Sequence, residues 1–232
     1  PHQTMVALFG AVFGFVLVSL GRGLSNFRRG TRRPGPFGPG GEAGPKGPAL
    51  HAAGWSVVHD ILTLRYLHGH GTDCTYAGEE SRTPWRRWFH HCTFFGFLLC
   101  FAATSVAAVY HWLGWPAPYA YTSLPVILGT AGGFGLLIGP AGLYSIGQWR
   151  DPAATDTAQR RVDLGFIVLL FLSSLTGLTL LVLRETSAMP PLLIVHLGVV
   201  LALFVTLPYG KFVHGLYRAA ALAQHAQESR RG

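Results

Sequence analysis

The chain is 232 residues long, 50% hydrophobic and only 12% charged. A soluble domain of this size carries about 25% charged residues, so the composition excludes an ordinary water-soluble enzyme and predicts an all-α, integral membrane helical bundle. The formal net charge of +8 raises nucleic-acid binding, but basic residues also serve as topology signals, and their placement decides between the two.

Cys74, Cys92 and Cys100 form no Cys-x-x-Cys pair and cannot complete a four-thiolate cluster. No Cys-x-x-Cys-His is present, so any haem is expected to be held non-covalently. The chain opens on Pro1 with no charged leader, which reads as a portion of something longer rather than a signal peptide.

About five apolar stretches are long enough, or nearly so, to cross a ~30 Å hydrocarbon core. They are Met5–Leu20, Phe89–Leu113, Ser123–Ile146, Asp163–Leu183 and Leu192–Val213, the first being short. The implied organisation is a first transmembrane helix over 1–22, a Gly/Pro/Arg-rich linker over 23–51, an amphipathic helix and cytoplasmic loop over 52–88, a four-helix core over 89–216 and a cytoplasmic tail over 217–232. In the linker, Gly38–Ala49 reads as Gly-x-y triplets too few for a triple helix, so a flexible loop is expected. Trp55, Val58, Leu62 and Tyr66 then recur at helical spacing, the pattern of a helix lying against a membrane surface or a partner. His68, His70 and Cys74 in the following loop match no zinc spacing and lack a fourth ligand. The third span carries Gly129, Gly132, Gly133, Gly135 and Gly139, which predict close backbone approach, and Pro140, which predicts a kink. The segment after His214 is again amphipathic.

Let side A be the side reached at the end of the first span. Of the 18 Lys and Arg residues, those from Arg22 to Arg87, those from Arg150 to Arg161 and those from Lys211 onward all fall on side A; only Arg184 falls on side B. This is a positive-inside pattern with side A cytoplasmic, and it leaves no need for nucleic acid.

Titratable residues inside a membrane span are costly and usually have a task. His196 and His214 are separated by about five turns at ~3.6 residues per turn. His90 and His111 are separated by about six turns at ~3.5 residues per turn. With this topology His90 and His214 lie near side A, while His111 and His196 lie near side B, so the expected pairs are His90–His214 and His111–His196. His91 is an alternative to its neighbour His90. Neutral imidazole ligates iron, and a bundle core offers a slot for a flat macrocycle. Two axial imidazoles leave no place for dioxygen, which suits electron transfer. The ligand levels would stand about 27 Å apart on the fifth span. The bland alternative is that these are interfacial histidines at helix ends. Cys92 and Cys100 read as packing residues, and His59 with Asp60 as solvated. Tyr209 and Lys211 are candidate contacts for a propionate or a quinone, or interface anchors; His2 is a candidate contact of the outer haem. No catalytic residue is assigned.

The run Trp88-Phe-His-His-Cys-Thr-Phe-Phe-Gly-Phe-Leu-Leu-Cys-Phe-Ala-Ala-Thr104 is similar to the membrane domain of the tricarballylate-utilisation protein B family. So are Leu62-Thr-Leu-Arg-Tyr-Leu67, Leu124-Pro-Val-Ile-Leu-Gly-Thr130, Gly139-Pro-Ala-Gly142 and Thr206-Leu-Pro-Tyr-Gly-Lys-Phe-Val-His214. The resemblance covers most of the chain from about residue 55 to 222. It extends to the C-terminal domain of the cobalamin-pathway protein CobZ and, distantly, to the cytochrome b subunit of respiratory nitrate reductase. It implies two haems b, iron–sulfur clusters in a cytoplasmic N-terminal domain, and a partner flavoprotein dehydrogenase carrying FAD. In that scheme the partner oxidises tricarballylate to cis-aconitate. This chain then passes the electrons through haem toward quinone, in the inner (cytoplasmic) membrane of a bacterium. It would be a component of an oxidoreductase complex rather than a stand-alone enzyme. The cysteine-rich portion and one upstream span would precede Pro1.

Two other functions compete. A small carboxylate transporter would require features that are missing here, intramembrane carboxylates and internal inverted repeats. A non-redox membrane anchor of a soluble dehydrogenase would tolerate loss of every histidine named above.

Overall fold

The computed structural model describes residues 2–31, 85–148 and 157–210, with 213, 215, 217, 220 and 221. Residues 23–31 of the expected linker are helical and 85–88 open the next helix; the rest of the linker, the amphipathic segment, the loop with His68, His70 and Cys74, and Lys211 and His214 lie outside the described residues. All regular structure among the described residues is helical: α1 (His2–Thr31), α2 (Trp85–Trp112), α3 (Leu124–Gly147), α4 (Thr157–Val182) and α5 (Met189–Thr206), followed by a 3-10 turn at Leu207–Tyr209. Each helix is long and apolar enough to cross a membrane, the fifth crossing running on through the turn to Tyr209. Inside lipid a helix satisfies its own backbone polar groups, which is why continuous apolar sequence takes this form. Large apolar side chains such as Phe13, Leu17, Phe101, Ile127, Phe134, Val168 and Ile194 point outward, as expected where the surroundings are acyl chains. The chain is a multi-pass membrane protein.

Sequence chemistry accounts for the helix ends. α2 stops at Gly114, whose φ of 78° suits a residue without a Cβ. The Gly114 amide donates to the His111 carbonyl at 3.0 Å and the Trp115 amide donates to the Tyr110 carbonyl at 3.0 Å. This is a Schellman cap, and the Tyr110 and Trp115 rings pack across it with centroids 4.2 Å apart. α3 starts with Pro125 in its first turn and carries Pro140 inside one continuous helix, where a kink is expected from sequence. α5 begins with Pro190 and Pro191 in its first turn, where missing amide protons cost nothing. It ends at Thr206 because Pro208 has no amide proton to donate to the Phe204 carbonyl four residues back, and the chain tightens into the 3-10 turn before an extended Gly210.

By its contacts the chain forms two compact units, Thr72–Leu203 and Pro1–Gly71 with Phe204–Gly232. In the first, α3 lies between α2 and α4. On the α2 side of α3 the backbones almost touch. A Cβ built on Gly96 would stand 2.9 Å from the Gly132 carbonyl oxygen, and one on Gly135 would stand 2.9 Å from the Cys92 carbonyl oxygen. Gly139 meets the Thr93 and Phe89 backbone in the same way, and Gly142 meets the Phe89 ring. Lipid offers no hydrophobic drive between helices, so close backbone packing must hold them together. On the other face of α3 the Gly133 carbonyl accepts a 2.6 Å hydrogen bond from the buried Ser174 hydroxyl of α4. Leu136, Leu170 and Leu203, one each from α3, α4 and α5, close a small core with Phe97 and Cys100 of α2. In the second unit α1 touches the 3-10 turn, and Phe27 stacks on Tyr217 with centroids 5.3 Å apart.

Candidate functional site

Of the histidines singled out from sequence, His196 has the most developed surroundings. It lies two turns inside α5 and is half-buried. Its Nδ1 is 2.9 Å from the Thr176 hydroxyl of α4, and its Cε1 would stand 3.1 Å from a Cβ built on the neighbouring Gly177. Sequence reasoning does not find these two partners. The signal available is a polar run, Ser173-Ser174-Leu175-Thr176-Gly177, inside an otherwise apolar span.

The other histidines are placed differently. His90 is half-buried near the start of α2. His91 turns back along its own helix, with Nδ1 2.7 Å from the Arg87 carbonyl oxygen and its ring over Phe95 at 6.0 Å. His111 is exposed one residue from the end of α2. Its carbonyl belongs to the Schellman cap.

Helix register fixes the relative depths within this unit. Cys100 abuts Gly132, Ser174 bonds Gly133 and Thr176 bonds His196. His196 is therefore level with Cys100 of α2. His111 lies eleven residues further along α2, about 16 Å at ~1.5 Å per residue. His90 lies ten residues in the opposite direction, about 15 Å by the same rise. The structure does not bring His111 and His196 to one depth. Part of the offset is local: α5 starts at Met189 rather than Leu192, which sets His196 about 4.5 Å deeper at ~1.5 Å per residue; the rest is stagger between the helices, with Cys100 rather than the end of α2 against Gly132. The five-turn register between His196 and His214 also assumes an unbroken helix, whereas α5 ends at Thr206. The pairing of His90 with His214 falls outside the described residues.

Among the described residues no three His, Cys, Asp or Glu side chains converge on a point that could hold a metal ion. That pattern does not suit a tetrahedral zinc or a di-iron carboxylate centre. Axial ligation of a haem needs only one or two imidazoles, and His196 meets the requirement, with one ring nitrogen engaged by a neighbouring helix.

At the far end of the same unit Arg184 donates from Nη1 to the Tyr119 carbonyl at 2.7 Å. Its guanidinium lies 3.6 Å over the Tyr121 ring. Arg184 thereby joins the end of α4 to the connection between α2 and α3.

The family model described as CitB, citrate utilization protein B, matches residues 1–232. Citrate utilization protein B of Escherichia coli is 48% identical over 234 residues, an alignment covering 100% of this chain and 58% of that relative. The chain thus spans a little more than half the length of the curated relative it matches. No solved structure matches it significantly. The resemblance to tricarballylate-utilisation protein B agrees with these matches. The chain belongs to the citrate utilization protein B family.

Proposed function

We propose that this chain is the membrane electron-transfer subunit of a bacterial carboxylate-utilisation system, holding b-type haem through histidine. The observation that carries the reading is His196: a half-buried imidazole inside a membrane span, held at Nδ1 by Thr176 of another helix. An imidazole in lipid without a task is costly, and a ligating histidine characteristically has its second nitrogen hydrogen-bonded. His196 is the best-placed axial ligand. His90, His91, His111 and His214 are the candidates for the other axial positions, with two haems as the expected complement.

Haem iron supplies one-electron exchange between its ferric and ferrous forms. The protein contributes apolar surroundings, with Leu136, Leu170 and Leu203 packed together in the core of the same unit, and a ligand orientation set by Thr176. The surrounding system follows from the same reading. A flavoprotein dehydrogenase with FAD removes two electrons from a carboxylate, citrate or tricarballylate being the class to test. Iron–sulfur clusters of a cytoplasmic domain relay those electrons, and quinone in the inner membrane receives them. The name of the Escherichia coli relative links that protein to citrate use, which supports the carboxylate class.

The test is a reduced-minus-oxidised spectrum with a haem-to-protein ratio on the purified full chain. Stoichiometric b-type haem, lost in His196→Ala, is the expected result. Absence of haem from folded protein, or carboxylate uptake by liposomes carrying this chain alone, would overturn the proposal in favour of an anchor or a transporter.

A further inference from the structure

We propose that Thr176 is the positioning residue of His196: its hydroxyl accepts the Nδ1–H of the imidazole, leaving the Nε2 lone pair as the ring's ligating pair. The consequence for haem rests on the function proposed above; the hydrogen bond and the tautomer do not.

Proton counting on one hydroxyl gives the assignment. A threonine hydroxyl has one proton and two lone pairs. The Thr176 hydroxyl lies 2.7 Å from the Leu172 carbonyl oxygen and 3.2 Å from the Ser173 carbonyl oxygen. Carbonyls only accept, and the shorter contact takes the proton. The same oxygen is 2.9 Å from His196 Nδ1. With its proton already committed to its own helix, it can only accept there, so Nδ1 is the donor. A neutral imidazole has one N–H, and a second proton would place a costly cation inside a membrane span. Nε2 is therefore unprotonated.

Gly177 completes the arrangement. A Cβ there would stand 3.1 Å from His196 Cε1 and 3.8 Å from Nε2. The carbon between the two nitrogens thus lies against this position, with Nδ1 3.6 Å and Nε2 3.8 Å from such a Cβ, so Gly177 makes room for the ring without choosing between its nitrogens. Any side chain at this position would press on the ring. Thr176 engages Nδ1, the Ser173 backbone offers the ring a further hydrogen bond, and Gly177 gives the ring room to lie against α4. Donation from Nδ1 also raises the basicity of Nε2, which favours ferric over ferrous iron at a haem bound there.

The experiment uses the full chain in lipid nanodiscs, with nitrogen-15 histidine NMR before haem is added and redox titration after. The His196 signals are assigned by their loss in His196→Gln, and helicity by circular dichroism certifies each variant as folded. The expected spectrum shows a protonated Nδ1 and an unprotonated Nε2, changed in Thr176→Ala and restored in Thr176→Ser. Thr176→Ala should also weaken haem binding by about tenfold and raise the midpoint potential, with Thr176→Ser near the parent value. A protonated Nε2 in the parent protein would overturn the inference, as would a Thr176→Ala spectrum identical to it. If the parent takes up no haem, the proposed function fails while the tautomer measurement still decides the role of Thr176.

Discussion

Gly132 of α3 lies so close to Cys100 of α2 that a methyl group on it would stand 2.8 Å from both the Cys100 amide nitrogen and its sulfur. Backbone cannot yield as the end of a flexible side chain can, so the two helices must separate or shift to accommodate any larger residue. Gly132→Ala should destabilise the folded protein by about 1–3 kcal/mol, the range for overpacking a close-packed interior. Unfolding in mixed micelles titrated with sodium dodecyl sulfate measures this directly. Gly165→Ala is the control, because nothing within 4 Å would meet the added methyl; it should be neutral or slightly stabilising.

The register within the Thr72–Leu203 unit makes a distinct demand on the histidines. Were His111 and His196 axial ligands of one iron, the single alanine variants and the double variant would all lose the same haem. With His196 level with Cys100 and His111 about 16 Å further along its helix, this register predicts that the two do not share an iron. His196→Ala should therefore lower the haem-to-protein ratio whether or not His111 is present, and the double variant should lose no less than the two single losses added. Pyridine haemochrome analysis of the four proteins checks this; identical losses in all three variants would restore the shared pair.

How much was legible in the sequence follows from which interactions are local. The five helices were readable because a long apolar run in lipid has one way to satisfy its backbone. The ends of α2 to α5 fall within a few residues of expectation, except that Asp163 understates the start of α4 and Val213 overstates the end of α5. α1 is longer at both ends than Met5–Leu20, reaching from His2 to Thr31, because helix continues through polar residues that a hydropathy reading discards. Close packing of α3 was visible in its glycines. That Gly96 of α2 receives it was not, since partner choice is tertiary. The depth of His196 and its contact with Thr176 were likewise out of reach: both depend on register between helices, and no periodicity within one helix encodes register with another.

Arg184 tests the connection between α2 and α3. Its Nη1 bonds the Tyr119 carbonyl at 2.7 Å and its plane covers Tyr121 at 3.6 Å, two roles that need a flat, multi-donor cation. Lysine keeps the charge but not that geometry. Arg184→Lys should cost about 1 kcal/mol, the scale of one hydrogen bond with a partial cation–π contribution. It should also speed proteolysis between Leu113 and Ser123 under native conditions. Unchanged cleavage would mean that the Tyr110–Trp115 packing alone holds this segment.

Topology provides the last test, because α3 crosses the membrane between two exposed positions at its ends, Ala120 just before it and Gln148 just after it. Positive charge concentrates on the side of Gln148, while Arg184 alone shares the side of Ala120. The positive-inside rule therefore puts Gln148 in the cytoplasm and Ala120 outside it. In a background with Cys74, Cys92 and Cys100 replaced by alanine, Ala120→Cys should react with a membrane-impermeant maleimide in intact cells. Gln148→Cys should react only after the membrane is opened. The reverse pattern would invert the bundle. On the proposed electron-transfer function it would also put His111 rather than His90 nearer the cytoplasm, so that a cytoplasmic donor would have to deliver electrons at the opposite end.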